Sequence, residues 1–220
     1  MNKPNQETVS PQFDLMQELG DCHNSVGNFH QASRHYERAA SLEPDEPGPY
    51  VGLGVIALQN NLLDDAEIAF RVACRLDPNS SRAHAGLAMV AQRSGRIKEA
   101  FDSYLRSLER DTNNLTALLG LFQTSCQMGS FAEVIHYLKI YLRMHPDDTA
   151  VMFTLAALYM RDGSLEQAKT LLHQVVRLDP DNKDAANVLE EVEHTLSRGA
   201  DRSAVSNTAF ESVRRSLTRV

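Results

Sequence analysis

The chain has 220 residues, with 22 Lys and Arg against 29 Asp and Glu and a formal net charge of −7. That balance, with no long basic run, argues against a nucleic-acid partner, because phosphate-backbone binding depends on many cationic contacts. No stretch is apolar enough for a signal-peptide core or a bilayer span, so the expectation is a soluble, cytoplasmic chain without an integral membrane segment.

In chain order, residues 1–12 are polar, with Pro4 and Pro11, and read as a flexible leader. From Phe13 onward the sequence repeats itself. Leu19 recurs as Leu53, Leu87, Leu121 and Leu155, always 34 residues on, and a fixed period of this size means a stacked repeat. Five units start at Phe13, Pro47, Ser81, Leu115 and Thr149, and Lys183 opens a sixth that stops after one helix. Each unit has two apolar stretches of helical spacing around a short breaker, the signature of an antiparallel helix pair. Gly27, Asn61, Gly95, Gly129 and Gly163 occupy the breaker, where the left-handed conformation ends a helix. Pro44, Pro78, Pro146 and Pro180 close the second helices, and Thr112 in the third repeat predicts a softer end there.

Small residues line the helix-pair contact: Gly20, Gly54, Ala88 and Ala156 on first helices, Ala32, Ala66, Ala100 and Ala168 on second ones. Tyr36, Phe70, Tyr104, Leu138 and Leu172 form a column of large apolar residues between repeats. The fourth repeat has Phe122 and Val134 where its neighbours are small, which predicts a helix pair that is spread apart. Residues 184–196 carry Val188, Leu189 and Val192 on one side and Glu190, Glu191, Glu193 and His194 on the other, the pattern of a helix that caps the stack.

Residues 197–220 form a basic tail. Five arginines oppose Asp201 and Glu211, so the tail is +3 and the remainder −7 − 3 = −10. Within it Phe210, Val213 and Leu217 have the spacing of a short amphipathic helix, and with Arg214 they are candidate docking residues.

The period, the leucine and small-residue columns and the closing prolines resemble the tetratricopeptide repeat family over about five sixths of the chain. Tryptophan, frequent near the start of family repeats, is replaced by Met16, Tyr50, His84, Leu118 and Met152. The resemblance implies an all-α, right-handed superhelical α-solenoid of helix-turn-helix repeats whose concave surface, lined by first helices, holds a peptide or helix of a partner. Setting the core columns aside leaves Val51, Gly52, Val55, Leu58, Gly86, Met89, Arg93, Leu119, Gly120, Gln123, Cys126, Phe153 and Met160 as groove candidates. Gly52, Gly86 and Gly120 recur inside a helix of three successive repeats, either as a smooth floor for a ligand or as close-packing positions, since glycine permits both. The places that would clamp a terminal carboxylate are Gln17, Asp21, Gly48, Gly52, Arg82 and Gly86; one cation among them is too few for that chemistry.

Cys22, Cys74 and Cys126 are far apart, and no CxxC, HExxH, GxSxG or phosphate-binding glycine loop occurs. The expectation is therefore no metal, no cofactor and no catalytic constellation. Cys126 reads as a small groove-lining residue, Cys74 as core, and His23 and His84 as packing residues. The sequence points to a non-enzymatic interaction module, an adaptor or assembly chaperone that takes a partner protein or peptide in an apolar groove. The alternative is a self-assembling scaffold, a homo-oligomer joined through the basic tail.

Overall fold

The computed structural model describes residues 10–198, and every regular element among them is an α-helix. In order these are α1 Pro11–Ser25, α2 Phe29–Leu42, α3 Pro47–Gln59, α4 Leu63–Leu76, α5 Ser81–Arg93, α6 Ile97–Arg110, α7 Leu115–Met128, α8 Ala132–Met144, α9 Thr149–Arg161, α10 Leu165–Leu178 and α11 Lys183–Arg198. The 34-residue period survives in the ends of the second helices, at residues 42, 76, 110, 144 and 178.

Side-chain caps start most first helices. Ser80, Asn114, Asp148 and Asn182 accept from the backbone N–H three residues on, at 3.0–3.3 Å, which satisfies an amide that the helix itself leaves open. Ser10 does the same for α1, and Pro11 needs no N–H at the first helical position. The expected leader therefore ends two residues early. At the other end α11 runs to Arg198, two residues into the expected tail.

The breaker residues all take the left-handed backbone: Asn61 at φ 57° and Gly27, Gly95, Gly129 and Gly163 at 73–77°. The softer end expected at Thr112 does not occur. The Asp111 carboxylate accepts from the Asn113 N–H at 2.9 Å, as Asp77 does from Asn79, and this local turn stops the helix without proline.

The chain divides into two compact units between Met128 and Gly129, within the fourth repeat. In the first unit α1–α2, α3–α4 and α5–α6 pack as antiparallel pairs, each on the next, with α7 against α6. In the second, α9 and α10 pair, with α8 against α9 and α11 against α10. Consecutive helix-pair packing of this kind is α-solenoid architecture. Phe122 and Val134 are both buried, one on α7 and one on α8.

One packing device recurs through the first unit. The Tyr36 ring is buried between Gly20 of its own repeat and Gly52 of the next, and a Cβ at either glycine would overlap it. Phe70 is held in the same way between Gly54 and Gly86, and Tyr104 lies against Gly120. Each buried ring contributes roughly 1.5–3 kcal/mol. In the second unit the column changes on both sides at once: Leu138 stands in register with Thr154, and Leu172 with Val188, all four buried. A smaller occupant comes with a larger wall.

Candidate functional site

A concavity of about 270 Å³ opens on the first-helix surface of the first unit. Val51, Val55 and Leu58 of α3 and Ala85, Gly86 and Met89 of α5 supply its apolar surface, above the Phe70 ring. Arg82 and Arg93 of α5, Gln59, and Asn114 and Thr116 at the start of α7 supply its polar rim.

Six of the expected groove residues thus meet at one place: Val51, Val55, Leu58, Gly86, Met89 and Arg93. Leu58 is 3% exposed and Val51 is also buried, so they form the base, whereas Val55 and Met89 are half-buried and reachable. Arg93 is partly committed already, because its Nη1 donates at 2.6 Å to the Leu58 carbonyl, which also accepts from the Asn61 N–H. The other guanidinium of the rim, Arg82, is exposed.

Several expected lining residues have other places. Gly52 and Gly120 are buried beneath Tyr36 and Tyr104, and Gly86 beneath Phe70, so these glycines receive aromatic rings and a floor made for a ligand is not needed to explain them. On α7, Leu119 is 37% exposed and Gln123 accepts from Gln92 Nε2 at 2.9 Å; Gln92 Oε1 in turn accepts from the Tyr104 hydroxyl at 2.7 Å. Cys126 is half-buried and lies outside the concavity. Phe153 and Met160 of α9 belong to the second unit and are 6% and 1% exposed, which corrects their reading as open groove surface. The candidate docking residues Phe210, Val213, Arg214 and Leu217 lie outside the described residues.

Arg82 was an inner place only for the rejected carboxylate clamp, and Asn114 and Thr116 were not among the expected lining. Asn114 gave a usable signal, since it stands at the capping register of Ser80 and Asp148 and so must sit at a helix mouth. Its amide also donates to the Ser81 and Ser107 hydroxyls, at 2.9 and 3.2 Å.

Titratable groups near the repeats have structural causes for their shifts. Burial, then the hydrogen bond to Asp21 at 2.6 Å, pushes the Tyr36 hydroxyl well up; burial does the same to Tyr104. The Cys74 thiol is half-buried, not fully core as expected, and burial raises it; its Sγ lies 3.8 Å from His84 Nδ1. His23 stacks on His35 with ring centroids 5.3 Å apart. Among the described residues no group of three or more His, Cys, Asp or Glu is placed to hold a metal ion, and no helix is long and apolar enough to cross a membrane.

Family models described as tetratricopeptide repeat match residues 25–81 and 127–192. A comparison with curated protein sequences finds no match. Among solved structures, Pseudomonas aeruginosa pilF is similar at 17% identity, covering 94% of this chain and 91% of that one, with a TM-score of 0.68. PilW, described as a widely conserved type IV pilus biogenesis factor, is 18% identical over 96% of this chain and 94% of its own, with a TM-score of 0.64. YrrB, described as a TPR protein with an unusual peptide-binding site, is 18% identical over 84% and 94%, with a TM-score of 0.59. At these identities the likeness speaks for fold. Taken with the 34-residue register, the left-handed breakers and the stacked helix pairs, the matches establish that this chain belongs to the tetratricopeptide repeat family.

Proposed function

We propose that the chain is a protein–protein interaction module, an adaptor or assembly chaperone, that takes a helix or extended segment of a partner protein on the first-helix surface of its first unit. Interaction with proteins and peptides is what tetratricopeptide repeats support. The observation that carries the finer reading is the concavity itself: reachable Val55 and Met89 over a buried base, with polar groups at the rim to orient a ligand. Methionine adapts to varied apolar partners. PilW's description as a pilus biogenesis factor is consistent with an assembly role.

A peptide-display selection on the folded full chain tests this. Selected peptides should lose about tenfold or more in affinity when Met89 or Val55 becomes Asp, because a charge in an apolar contact is left without a partner. They should be indifferent to Ile68→Asp, on the 64%-exposed position of α4. Peptides that bind all three variants equally would place recognition elsewhere.

A further inference from the structure

The repeat register allows one groove to be compared at two places in the chain. In the first unit it runs over Leu87 of α5, beside α4 and α6; in the second, two periods on, it runs over Leu155 of α9, beside α8 and α10. Both are grooves on the second-helix side of their unit, distinct from the concavity above.

The first version is internally neutralised. Glu67 accepts from Arg71 and from Arg96, each at 2.6 Å, and Arg96 also reaches Glu99 at 3.1 Å. Its roughly 580 Å³ are bordered by both signs of charge, Glu99 and Asp102 alternating with Lys98 and Arg106 along α6.

The second version keeps cations on α8, has Ser164, Glu166 and Gln174 in the registers of Arg96, Lys98 and Arg106, and loses the carboxylates of the first lining. Lys139 and Arg143 stand where Arg71 and Arg75 stand two periods earlier, while Ile135, Gln167 and Thr170 stand in the registers of Glu67, Glu99 and Asp102. Leu171 replaces Ser103, and Tyr159 replaces Ala91. The result is a groove of about 690 Å³ with Ile140, Leu155, Tyr159 and Leu171 on its apolar surface and His136, Lys139 and Arg143 along it. No lining residue is acidic. Lys139 Nζ lies 5.3 Å from the centre of the Tyr159 ring, and neither Lys139 nor Arg143 is ion-paired with a described carboxylate. Its volume falls in the range of roughly 300–1,000 Å³ usual for ligand clefts.

We propose that this groove is a second docking site, which takes from a partner protein a segment whose large apolar side chains are flanked by carboxylates. Charge selects the occupant. Two cations beside an apolar surface gain most from a ligand that brings carboxylates to them as it covers that surface. The chain's own 197–220 segment, at +3, has the wrong sign. A lipid surface has less to gain here, because Leu155 and Tyr159 are buried and the apolar surface within reach is the half-buried Ile140 and Leu171. This site goes beyond the first-unit concavity and stands or falls separately from it.

The test uses the full chain, a peptide-display selection, and two variants at exposed positions that leave the core intact: Lys139→Glu with Arg143→Glu, and Thr170→Trp, which fills the groove from its other wall without adding charge. Unchanged circular dichroism and urea midpoint confirm that both are folded. A class of peptides rich in Glu or Asp beside Leu or Phe should emerge, bind about tenfold or more weakly to each variant, weaken with added salt, and keep its affinity for Met89→Asp. Selection of no such class, or of one whose binding both variants retain, overturns the proposal. So does binding of phosphatidylserine vesicles that the double variant abolishes, or a solution mass above the monomer that it reduces, since the occupant would then be a membrane or a second copy.

Discussion

The Phe70 ring lies where a side chain on residue 86 would begin. Helix propensity alone favours alanine over glycine inside α5 by about 1 kcal/mol, so a glycine kept only for ligand access would be stabilised by Gly86→Ala. Overpacking against a fully buried ring costs about 1–3 kcal/mol and reverses the sign. The urea midpoint of Gly86→Ala should therefore fall, and Phe70→Leu in the same chain should cost less than it does alone, because the two changes are coupled.

Apolar residues on the first helices divide by depth. Phe153→Asp places a charge at a buried site and should destabilise by several kcal/mol, on the order of 3–5. Met89→Asp, half-buried at the concavity, should cost about 1 kcal/mol or less while removing peptide binding. Denaturant titration of both variants checks the contrast, and equal losses would mean that Met89 is core.

Much of this was legible from sequence and some was not, for identifiable reasons. The 34-residue period located the helix ends, because proline after the second helices and the left-handed breakers after the first act locally. At Thr112 the missing proline was visible but the Asp111 turn that replaces it was overlooked, although the same aspartate stands at 77. Groove and base could not be separated by pattern: Val55 and Leu58, or Met89 and Met160, are equally apolar, and only the surrounding helices decide which is covered. The glycines at 52, 86 and 120 were ambiguous because glycine serves both a ligand and a ring; the structure shows a ring against each of them.

The ion-pair cluster of the first unit predicts an acid dependence. Hydrogen bonds from Arg96, then from Arg71, hold the Glu67 carboxyl below its ordinary value of 4.5. A depressed folded-state value means that the contribution is complete above the unfolded value and is lost as pH falls through the folded one. Glu67→Gln should lower stability at pH 7 by no more than about 1 kcal/mol for partly exposed pairs, read as a slight fall in the thermal midpoint. As pH falls well below 4.5, through the depressed folded value, the two proteins should converge. A gap that persists in acid would assign the effect to packing.

Gly95 has φ +74° with open space around the position of a Cβ, so the cost of replacing it is backbone strain alone. Gly95→Ala should destabilise by about 1 kcal/mol. Gly95→Asn should cost less, since Asn61 holds the same conformation in the preceding repeat. Chemical denaturation of the two variants ranks them.

The pairing of ring with glycine, and of leucine with threonine or valine, makes the repeats non-interchangeable despite their common length. A junction is matched only when the occupant contributed by one repeat suits the wall contributed by the next: Tyr104 suits Gly120, and Leu138 suits Thr154. Excising 34 residues that join Tyr36 to Gly86 preserves the match, whereas a splice that joins Tyr36 to Thr154 sets a ring against a branched side chain. Duplication and loss of units in such an array are thus constrained at the seams, and the permitted rearrangements of this chain are those that keep each occupant with its own kind of wall.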